Sequence, residues 1–214
     1  MTRLRLVQDD QQAGARKPVA RLSLDGLELA GRAILGPVQL DLFSGETVAL
    51  TGPSGIGKTS LLRVLAGLET RQRGSVERPK NVAVVFQEPT LLPWRNLQEN
   101  LCLTLHISPE AAEQALASVG LAGRGGDFPG QLSLGQQRRL ALARAFAGSP
   151  DLLLLDEPFV SLDAALADEM MTLFETLRSG SSVTTLLVTH AESEAKRLAS
   201  RIVHLSGSPA TLDP

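Results

Sequence analysis

Eight consecutive residues, Gly52–Thr59, have the types and spacing that bind phosphate groups. They read Gly-Pro-Ser-Gly-Ile-Gly-Lys-Thr and fit the pattern G-x-x-x-x-G-K-[ST]. The glycines allow a tight turn whose backbone N–H groups point at phosphate oxygens, and the following helix adds its positive end. We expect Lys58 to reach the β- and γ-phosphates of a nucleotide such as ATP and the Thr59 hydroxyl to bind Mg²⁺. The predicted nucleotide-binding residues are Gly52, Pro53, Ser54, Gly55, Ile56, Gly57, Lys58, Thr59 and Ser60.

Two adjacent carboxylates, Asp156 and Glu157, follow the apolar run Leu152–Leu155. A strand-end Asp holds Mg²⁺ through its water shell in phosphate-loop ATPases, so Asp156 is the predicted metal residue. An adjacent carboxylate can polarise the water that attacks the γ-phosphate, so Glu157 is the predicted general base. Taken alone, the pair fits a solvated strand end equally well. Its combination with the phosphate loop favours catalysis.

Two other polar residues also stand at the ends of apolar runs. Gln87 ends Val82–Gln87, and His190 follows Leu186–Thr189. Each is typical of an ordinary polar strand end, so neither indicates a site by itself. Their order relative to the two stronger motifs gives them meaning.

The elements that must position these residues alternate between strands and helices. Apolar β-rich runs predict strands, and apolar residues at spacings of three and four predict helices. In the helix Lys58–Gly67 the predicted apolar face is formed by Leu61, Leu62, Leu65 and Leu68. Strands are expected at Val19–Leu24, Val38–Phe43, Thr47–Thr51, Val82–Phe86, Leu152–Leu155, Val183–Val188 and Ile202–Leu205, and further helices at Asn96–Leu105, Glu110–Val119, Leu134–Ala147, Ala164–Leu177 and Glu192–Ala199. This alternation predicts an α/β fold with a mainly parallel sheet.

The chain length of 214 residues suits one compact domain. We predict a flexible lead-in over residues 1–18, a single domain over 19–205 and a short tail over 206–214. The helical stretch at about 88–133 interrupts the alternation and is expected to form a lobe of its own. The lead-in is inferred from its mixture of charge, Gln and Gly without periodicity.

Composition excludes several classes of function. The formal net charge of -2 gives no reason to expect nucleic acid as a partner. No run approaches the roughly 18 apolar residues of a membrane span, and the start of the chain lacks a secretory signal, so we expect a cytoplasmic protein. The single cysteine, Cys102, lies in an apolar stretch and is interpreted as a small buried hydrophobic residue rather than a reactive thiol.

The pentapeptide Leu132-Ser133-Leu134-Gly135-Gln136 resembles the signature motif of the ATP-binding-cassette (ABC) family. Gln87, the signature, Asp156-Glu157, Ser161-Leu162-Asp163 and His190 follow the phosphate loop in the order found in ABC ATPases. The resemblance spans nearly everything from Val19 to Leu205. It implies a P-loop NTPase core with a mainly parallel sheet, an antiparallel β subdomain and an inserted α-helical subdomain.

The resemblance also implies a mechanism and roles for single residues. Family members form head-to-tail dimers of cassettes with two ATP molecules between them, and a homodimer is expected here. Ser133, Gly135 and Gln136 would then face the nucleotide bound by the opposing chain. His190 would sense the γ-phosphate, Gln87 would couple to the metal and the lytic water, and Asp163 would communicate across the dimer.

The stretch Phe86–Trp94, with Leu-Leu-Pro-Trp after the glutamine, resembles ATP-binding subunits of nitrate, sulfonate and taurine importers. This group implies integral-membrane permease subunits that dock on the helical lobe, a solute-binding protein, and a peripheral position on the inner face of the cell membrane. The same residues also fit a loop whose Trp is buried against the lobe. The sequence does not identify the cargo.

Two departures from the family pattern bear on activity. Family members usually stack adenine on an aromatic residue before the phosphate loop, whereas this chain has no Tyr and has neither Phe nor Trp around Leu29-Ala30-Gly31. Such stacking is worth about 1–3 kcal/mol, so ATP would bind some 5- to 150-fold more weakly without compensating contacts. Leu134 stands where the signature usually has glycine, and it could crowd the partner cassette or restrict a backbone that needs positive φ.

Three alternatives to a transport ATPase stay open at this point. The departures would also suit a cassette that binds nucleotide in a heterodimer but hydrolyses it poorly. A soluble ABC ATPase outside transport is disfavoured, because such proteins usually carry two linked cassettes or a long insertion. A small phosphate-loop kinase would leave Ser133 and Gly135 without a role.

Overall fold

The structure, a computed structural model, describes residues 17–213. The predicted lead-in at residues 1–18 lies outside this range except for Lys17 and Pro18. The elements of the described residues are β1 (Ala20–Leu29), β2 (Arg32–Leu35), β3 (Val38–Leu42), β4 (Thr47–Thr51), α1 (Lys58–Ala66), β5 (Arg73–Glu77), β6 (Val82–Val85), α2 (Leu97–Leu105), α3 (Pro109–Ser118), a 3₁₀ turn (Pro129–Gln131), α4 (Leu134–Ala147), β7 (Leu152–Asp156), α5 (Ala164–Ser179), β8 (Thr184–Val188), α6 (Glu192–Leu198), β9 (Arg201–Gly207) and β10 (Ala210–Leu212).

Five strands form the parallel half of the sheet, in the order β9-β4-β8-β7-β6. Every residue of β7 and β8 is buried, because helices cover both faces of a parallel sheet. Leucines of α1 pack on one face, whereas α4 and α5 pack on the other. The predicted α/β fold with a mainly parallel sheet is confirmed.

The other strands form the antiparallel part, which centres on β1. This long strand pairs with β2, β3 and β5, and its residues alternate between buried and exposed. The predicted antiparallel β subdomain is therefore present. The predictions do not include β2 or β5. The sequence of β5, Arg-Gly-Ser-Val-Glu, is largely exposed and has no apolar pattern of its own. It becomes a strand only by pairing with β1.

Several element ends differ from the predictions. Helix α1 ends at Ala66, and Gly67 adopts a left-handed conformation with φ 75° that satisfies its last carbonyls. Leu68 therefore lies beyond the helix and is 61% exposed, so its predicted place on the apolar face is wrong. The residues predicted as a tail, 206–214, contain the end of β9 and all of β10, which joins β9 to β2.

Helices α2 and α3 form the predicted helical lobe between β6 and α4. Asn96 caps α2 by accepting a hydrogen bond from the Glu99 N–H at 2.7 Å, and Ser108 caps α3. The lobe has its own apolar core, which continues onto α4 through Leu140 and Ala143. It is thus a separate layer that shares one helix with the sheet domain.

Candidate functional site

The predicted phosphate-handling residues converge at the carboxyl ends of three neighbouring strands. The pairing register aligns Leu50 of β4 with Val188 of β8, and Val188 with Asp156 of β7. The segments that follow these positions must then lie at one edge of the sheet. We call the group of Gly52–Thr59, Asp156, Glu157 and His190 the phosphate-loop face.

The phosphate loop connects β4 to α1 and has glycines with positive φ at three positions, two of which are also closely packed. Gly52 has φ 145°, and a side chain there would meet the Leu205 carbonyl oxygen at 2.5 Å. Gly57 has φ 119° and precedes the first turn of α1, where it packs against Ile34 and Leu35. Gly55, in contrast, has no atom within 4 Å of its Cβ direction. The loop is held tightly at both ends and is open in the middle, as a cradle for phosphate requires.

Lys58 closes this loop from inside. Its side chain is 4% exposed, and Nζ donates hydrogen bonds to the carbonyls of Gly52 at 2.8 Å and Pro53 at 2.9 Å. The same nitrogen is 3.9 Å from Oε1 of Glu157. The lysine therefore links the loop after β4 to Glu157, the predicted catalytic carboxylate at the end of β7. Ser60 lies beside it in the first turn of α1.

Asp156 and Thr59 form the part of the site that suits a metal ion. The Thr59 hydroxyl donates to Oδ1 of Asp156 at 3.0 Å. Burial raises the pKa of Asp156, while the hydrogen bond from Thr59 opposes this rise. A buried carboxylate beside a hydroxyl is a hard oxygen set of the kind Mg²⁺ prefers. Among residues 17–213 no group of three His, Cys, Asp or Glu side chains could hold a metal. Thr59 and Asp156 fit Mg²⁺ as a partial ligand set, which nucleotide phosphates and water would complete.

Glu157 occupies an unusual backbone position at the end of β7. Its φ of 47° is rare for a residue with a side chain, and its N–H donates to the Val188 carbonyl at 2.9 Å. Oε2 lies 3.4 Å from Nδ1 of His190, whose side chain is 48% exposed. The carboxylate is thus held between the buried Lys58 and the half-exposed His190.

Glu194 of α6 is a further carboxylate near this edge that the sequence predictions missed. The Thr189 hydroxyl donates to Oε2 of Glu194 and accepts from the Ala191 N–H at 3.0 Å. Burial raises the pKa of Glu194, and this effect is larger than the opposing effects of Thr189 and His190. This network fixes the turn that carries His190. No motif marks Glu194, because its role depends on how α6 returns to the sheet.

The signature residues lie at the start of α4. Ser133 caps the helix by accepting from the Gln136 N–H at 3.3 Å, and the Gln136 side chain accepts from the Ser133 N–H at 3.1 Å. Gly135 is buried, and a side chain there would meet Leu166 of α5 at 3.1 Å. We call Leu132–Gln136 the signature face. In the part of the chain that the structure describes, no hydrogen bond or ion pair links it to the phosphate-loop face.

Leu134 is the first residue of α4 and has ordinary helical backbone, since it is not among the residues with positive φ. The expectation that a leucine here meets a backbone needing positive φ is therefore wrong. Its side chain is 47% exposed, so any effect of Leu134 must come from what it contacts outside the chain.

Gln87 and Asp163 stand apart from the cluster. Gln87 is exposed just beyond the end of β6. Asp163 caps α5 by accepting from the Leu166 N–H at 2.9 Å. Asp163 is joined to the signature face only indirectly, because Leu166 is the residue that packs on Gly135.

The segment after Gln87 is fixed from two sides. Arg144 of α4 donates to the carbonyls of Pro89 at 3.3 Å and Thr90 at 3.0 Å. Asn100 of α2, which the predictions missed, is fully buried; its Oδ1 accepts from the Leu92 N–H at 2.7 Å and its Nδ2 donates to carbonyls including that of Arg95. Trp94 between them is 69% exposed, so the interpretation of a Trp buried against the lobe is wrong.

The turn at Ala30-Gly31, where the family resemblance predicts an adenine-stacking aromatic residue, joins β1 to β2. Ala30 has φ 48° and Gly31 has φ 75°, and both are exposed. This geometry belongs to a tight hairpin turn. The structure therefore offers no aromatic side chain at this turn.

Three comparisons with known proteins place this site in context. Residues 35–160 match a protein family described as ABC transporter. The chain is 48% identical over 179 residues to "Aliphatic sulfonates import ATP-binding protein SsuB 1" of Pseudomonas fluorescens, covering 83% of this chain and 69% of that protein. It is 46% identical over 190 residues to the SsuB protein of Granulibacter bethesdensis, covering 88% and 80%.

A solved structure has the same fold. It is a dimeric post-hydrolysis state of the ATP-binding cassette MJ0796 bound to ADP and Pi, with a TM-score of 0.77 and 27% sequence identity. The match covers 91% of this chain and 97% of that one. Across residues 17–213, none of the helices is both long enough and apolar enough to cross a membrane.

Proposed function

This chain belongs to the ABC transporter family of ATP-binding proteins, and from this membership and the geometry of the site we propose that it hydrolyses ATP to drive a membrane importer. The observation that carries the proposal is the arrangement of Lys58, Glu157 and His190 beside the open phosphate loop. One chain supplies a phosphate cradle, a buried cation and a carboxylate in mutual reach.

Nucleotide binding uses the phosphate loop and the first turn of α1. The backbone N–H groups of Gly52–Thr59, with Ser60, hold the phosphates, and Lys58 moves its hydrogen bonds from the loop carbonyls to phosphate oxygens. Low exposure strengthens this contact, because charges interact more strongly away from water. Thr59 and Asp156 hold Mg²⁺, which neutralises charge on the β- and γ-phosphates when it is bound.

Glu157 is the general base of the proposed reaction. Its carboxylate orients water for attack on the γ-phosphate and accepts the proton, a contribution typically worth about 10²–10⁴-fold in rate. The rare φ of Glu157 directs the side chain between Lys58 and His190. His190 senses the γ-phosphate from the exposed side of the site, and Gln87 couples metal and water to the lobe.

The second half of each site comes from another cassette. Ser133, Gly135 and Gln136 have no partner on the phosphate-loop face of their own chain, and a helix N-terminus attracts negative charge. We propose that these residues close on the ATP held by a second copy, with Asp163 at the contact between the copies. The dimeric cassette MJ0796 supports this arrangement.

The membrane partners and cargo follow from the relatives. Proteins named as aliphatic sulfonate import subunits are 42–48% identical to this chain. We propose integral-membrane permease subunits that dock on the helical lobe near Trp94, a solute-binding protein in the same system, and sulfonate-type solutes as cargo. The chain would then lie peripherally on the inner face of the membrane.

The test replaces Glu157 by Gln, which keeps the shape but cannot accept a proton. Steady-state hydrolysis in the absence of any phosphate acceptor should fall at least about 100-fold, while ATP-dependent dimerisation persists in gel filtration. Glu192→Gln is the matched control, because Glu192 is an exposed residue that pairs only with Lys196. It should leave the rate unchanged.

Other results would redirect the proposal. A Glu157→Gln variant as fast as wild type would show that Glu157 is not the base. Hydrolysis that requires a phosphate acceptor would indicate a kinase, and a wild-type chain that binds ATP without turnover would indicate the impaired cassette.

A further inference from the structure

Arg138 of α4 is a buried cation with two unpaired nitrogens among the described residues. Its side chain is 6% exposed, and among the described residues neither Nε nor Nη1 has a hydrogen-bond partner. It also takes part in none of the ion pairs found within residues 17–213. Burial alone lowers the pKa of Arg138. Such a group costs free energy, because it loses water without gaining acceptors.

A second arginine on the same helix shows the ordinary arrangement. Arg144 is also partly buried, but its guanidinium donates to the Pro89 carbonyl and to both oxygens of Thr90. These bonds form within a single chain. Residues of its own chain therefore satisfy Arg144, whereas two nitrogens of Arg138 have no such partners.

The position of Arg138 indicates where its acceptors lie. It precedes Ala141 and Leu142 by three and four residues and so shares their face of α4. That face packs in one apolar cluster with Phe159. Long side chains on helices lean toward the N-terminus, and the shared cluster with Phe159 makes the segment 158–163 that follows Glu157 a source of acceptors on this face of α4.

This segment is held firmly at its two ends, where Phe159 is buried and the Asp163 carbonyl accepts from the Ala167 N–H at 2.9 Å. Its middle is held less well, because the bonds from Val160 N–H to Glu157 at 3.3 Å and from Leu162 N–H to Phe159 at 3.4 Å are longer than usual. Ser161 has φ 60°, a rarely populated conformation for a residue with a side chain. A small shift in the middle of this segment would thus break only long hydrogen bonds, and it would bring backbone carbonyls of the segment toward Arg138.

We propose that Arg138 is a positioning residue whose hydrogen bonds form only in the ATP-bound dimer, when the carbonyls of segment 158–163 move onto its Nε–H and Nη1–H. The inference rests on the proposed function, since it needs ATP-driven closure. A donor that is unpaired in the single chain and paired in the ATP-bound dimer makes the dimer more favourable by the free energy of the hydrogen bonds it gains. The segment that moves leads to Asp163 and α5, so Arg138 couples the signature helix to that contact.

The experiment compares Arg138→Met and Arg138→Gln with Arg144→Met, all in the Glu157→Gln background. The readouts are the melting temperature without nucleotide, the dimer dissociation constant with ATP by analytical ultracentrifugation, and hydrogen exchange of residues 158–163. Arg138→Met should keep or raise the melting temperature and raise the dissociation constant at least about 10-fold. ATP should slow exchange of segment 158–163 in the parent but not in Arg138→Met.

The other variants separate coupling from folding. Arg138→Gln keeps an amide donor and should recover part of the dimer affinity. Arg144→Met should lower the melting temperature, because it removes bonds that already exist. A lower melting temperature in both Arg138 variants, or unchanged dimerisation in Arg138→Met beside a dimerising parent, overturns the inference alone. A parent that fails to dimerise with ATP overturns the proposed function and the inference together.

Discussion

The phosphate-loop face and the signature face of this cassette are built in opposite ways. On the first, Lys58 contacts two loop carbonyls and approaches Glu157, which in turn approaches His190. On the second, the side chains of Ser133 and Gln136 each bond to the other residue's backbone N–H, and Leu134 is half exposed. The first face is assembled within one chain and the second has an open hydrogen-bonding surface. Under the proposed function, each chain therefore carries two complementary halves of a site rather than one complete site.

The two faces also differ in whether their buried charged side chains have hydrogen-bond partners. Asp156 on the phosphate-loop face is buried but accepts from Thr59. Arg138 behind the signature face is buried with two nitrogens unpaired. We therefore expect the phosphate-loop face to need only its ligand and the signature face to need a partner chain.

The largest expected effect comes from removing the buried negative charge of Asp156 on the phosphate-loop face. Asp156→Asn keeps the Thr59 hydrogen bond but removes the carboxylate that suits Mg²⁺. Hydrolysis should fall about 10²–10³-fold, while the nucleotide-free protein becomes more stable, because an ionised group no longer has to be buried. Steady-state turnover and thermal melting measure the two effects. A variant that loses both activity and stability would show that the phosphate-loop face depends on the Asp156 charge to fold.

The stability gain should depend on pH. Folding raises the pKa of Asp156 above its ordinary 3.8, so the folded protein binds more protons than the unfolded chain as pH rises through this value. The Asp156 contribution therefore becomes unfavourable as pH rises. The melting-temperature advantage of Asp156→Asn should be larger at about pH 7 than at about pH 4.

The second prediction has an effect of intermediate size. It tests whether the signature face binds the nucleotide held by a partner chain. Ser133→Ala removes the cap of α4 and should cost about 1 kcal/mol of stability. If Ser133 also contacts the opposing γ-phosphate, ATP-dependent dimerisation should weaken some 10- to 100-fold. Ser108→Ala is the matched control, since Ser108 caps α3 in the same way by accepting from the Ala111 N–H.

The control defines the outcome. Ser108→Ala should lose similar stability and leave dimerisation and hydrolysis unchanged. Equal behaviour of the two variants in the dimerisation assay would reduce Ser133 to a helix cap and remove the contrast between the faces.

The smallest effect concerns Leu134. Because its backbone is ordinary helix, Leu134→Gly should lower stability by up to about 1 kcal/mol and change hydrolysis by less than about 3-fold. Turnover of the two proteins at saturating ATP measures this. A gain of 10-fold or more in the glycine variant would instead show that the leucine crowds the partner cassette.

Sequence patterns predicted the parallel half of the fold better than the antiparallel half. Buried strands such as Leu152–Asp156 and Thr184–Val188 carry their own apolar signal. Arg73–Glu77 has no such signal, because its strand conformation depends on pairing with β1. Ala210–Leu212 is likewise a strand only through its contacts with β9 and β2.

For the site, the sequence by itself determined the chemistry and its order along the chain. The phosphate loop and Asp156-Glu157 could be found because each needs particular residue types at fixed local spacing, whereas His190 gains its meaning only from its order after these motifs. Glu194 and Asn100 carry no such pattern, because their roles depend on local backbone turns that bring Glu194 to Thr189 and Asn100 to Leu92. The unpaired state of Arg138 depends on burial, which only packing decides. Tertiary structure also decided that Leu134 is unstrained and that Trp94 is exposed. Backbone conformation and burial are properties of the folded chain, whereas functional-group chemistry is carried by the residue itself.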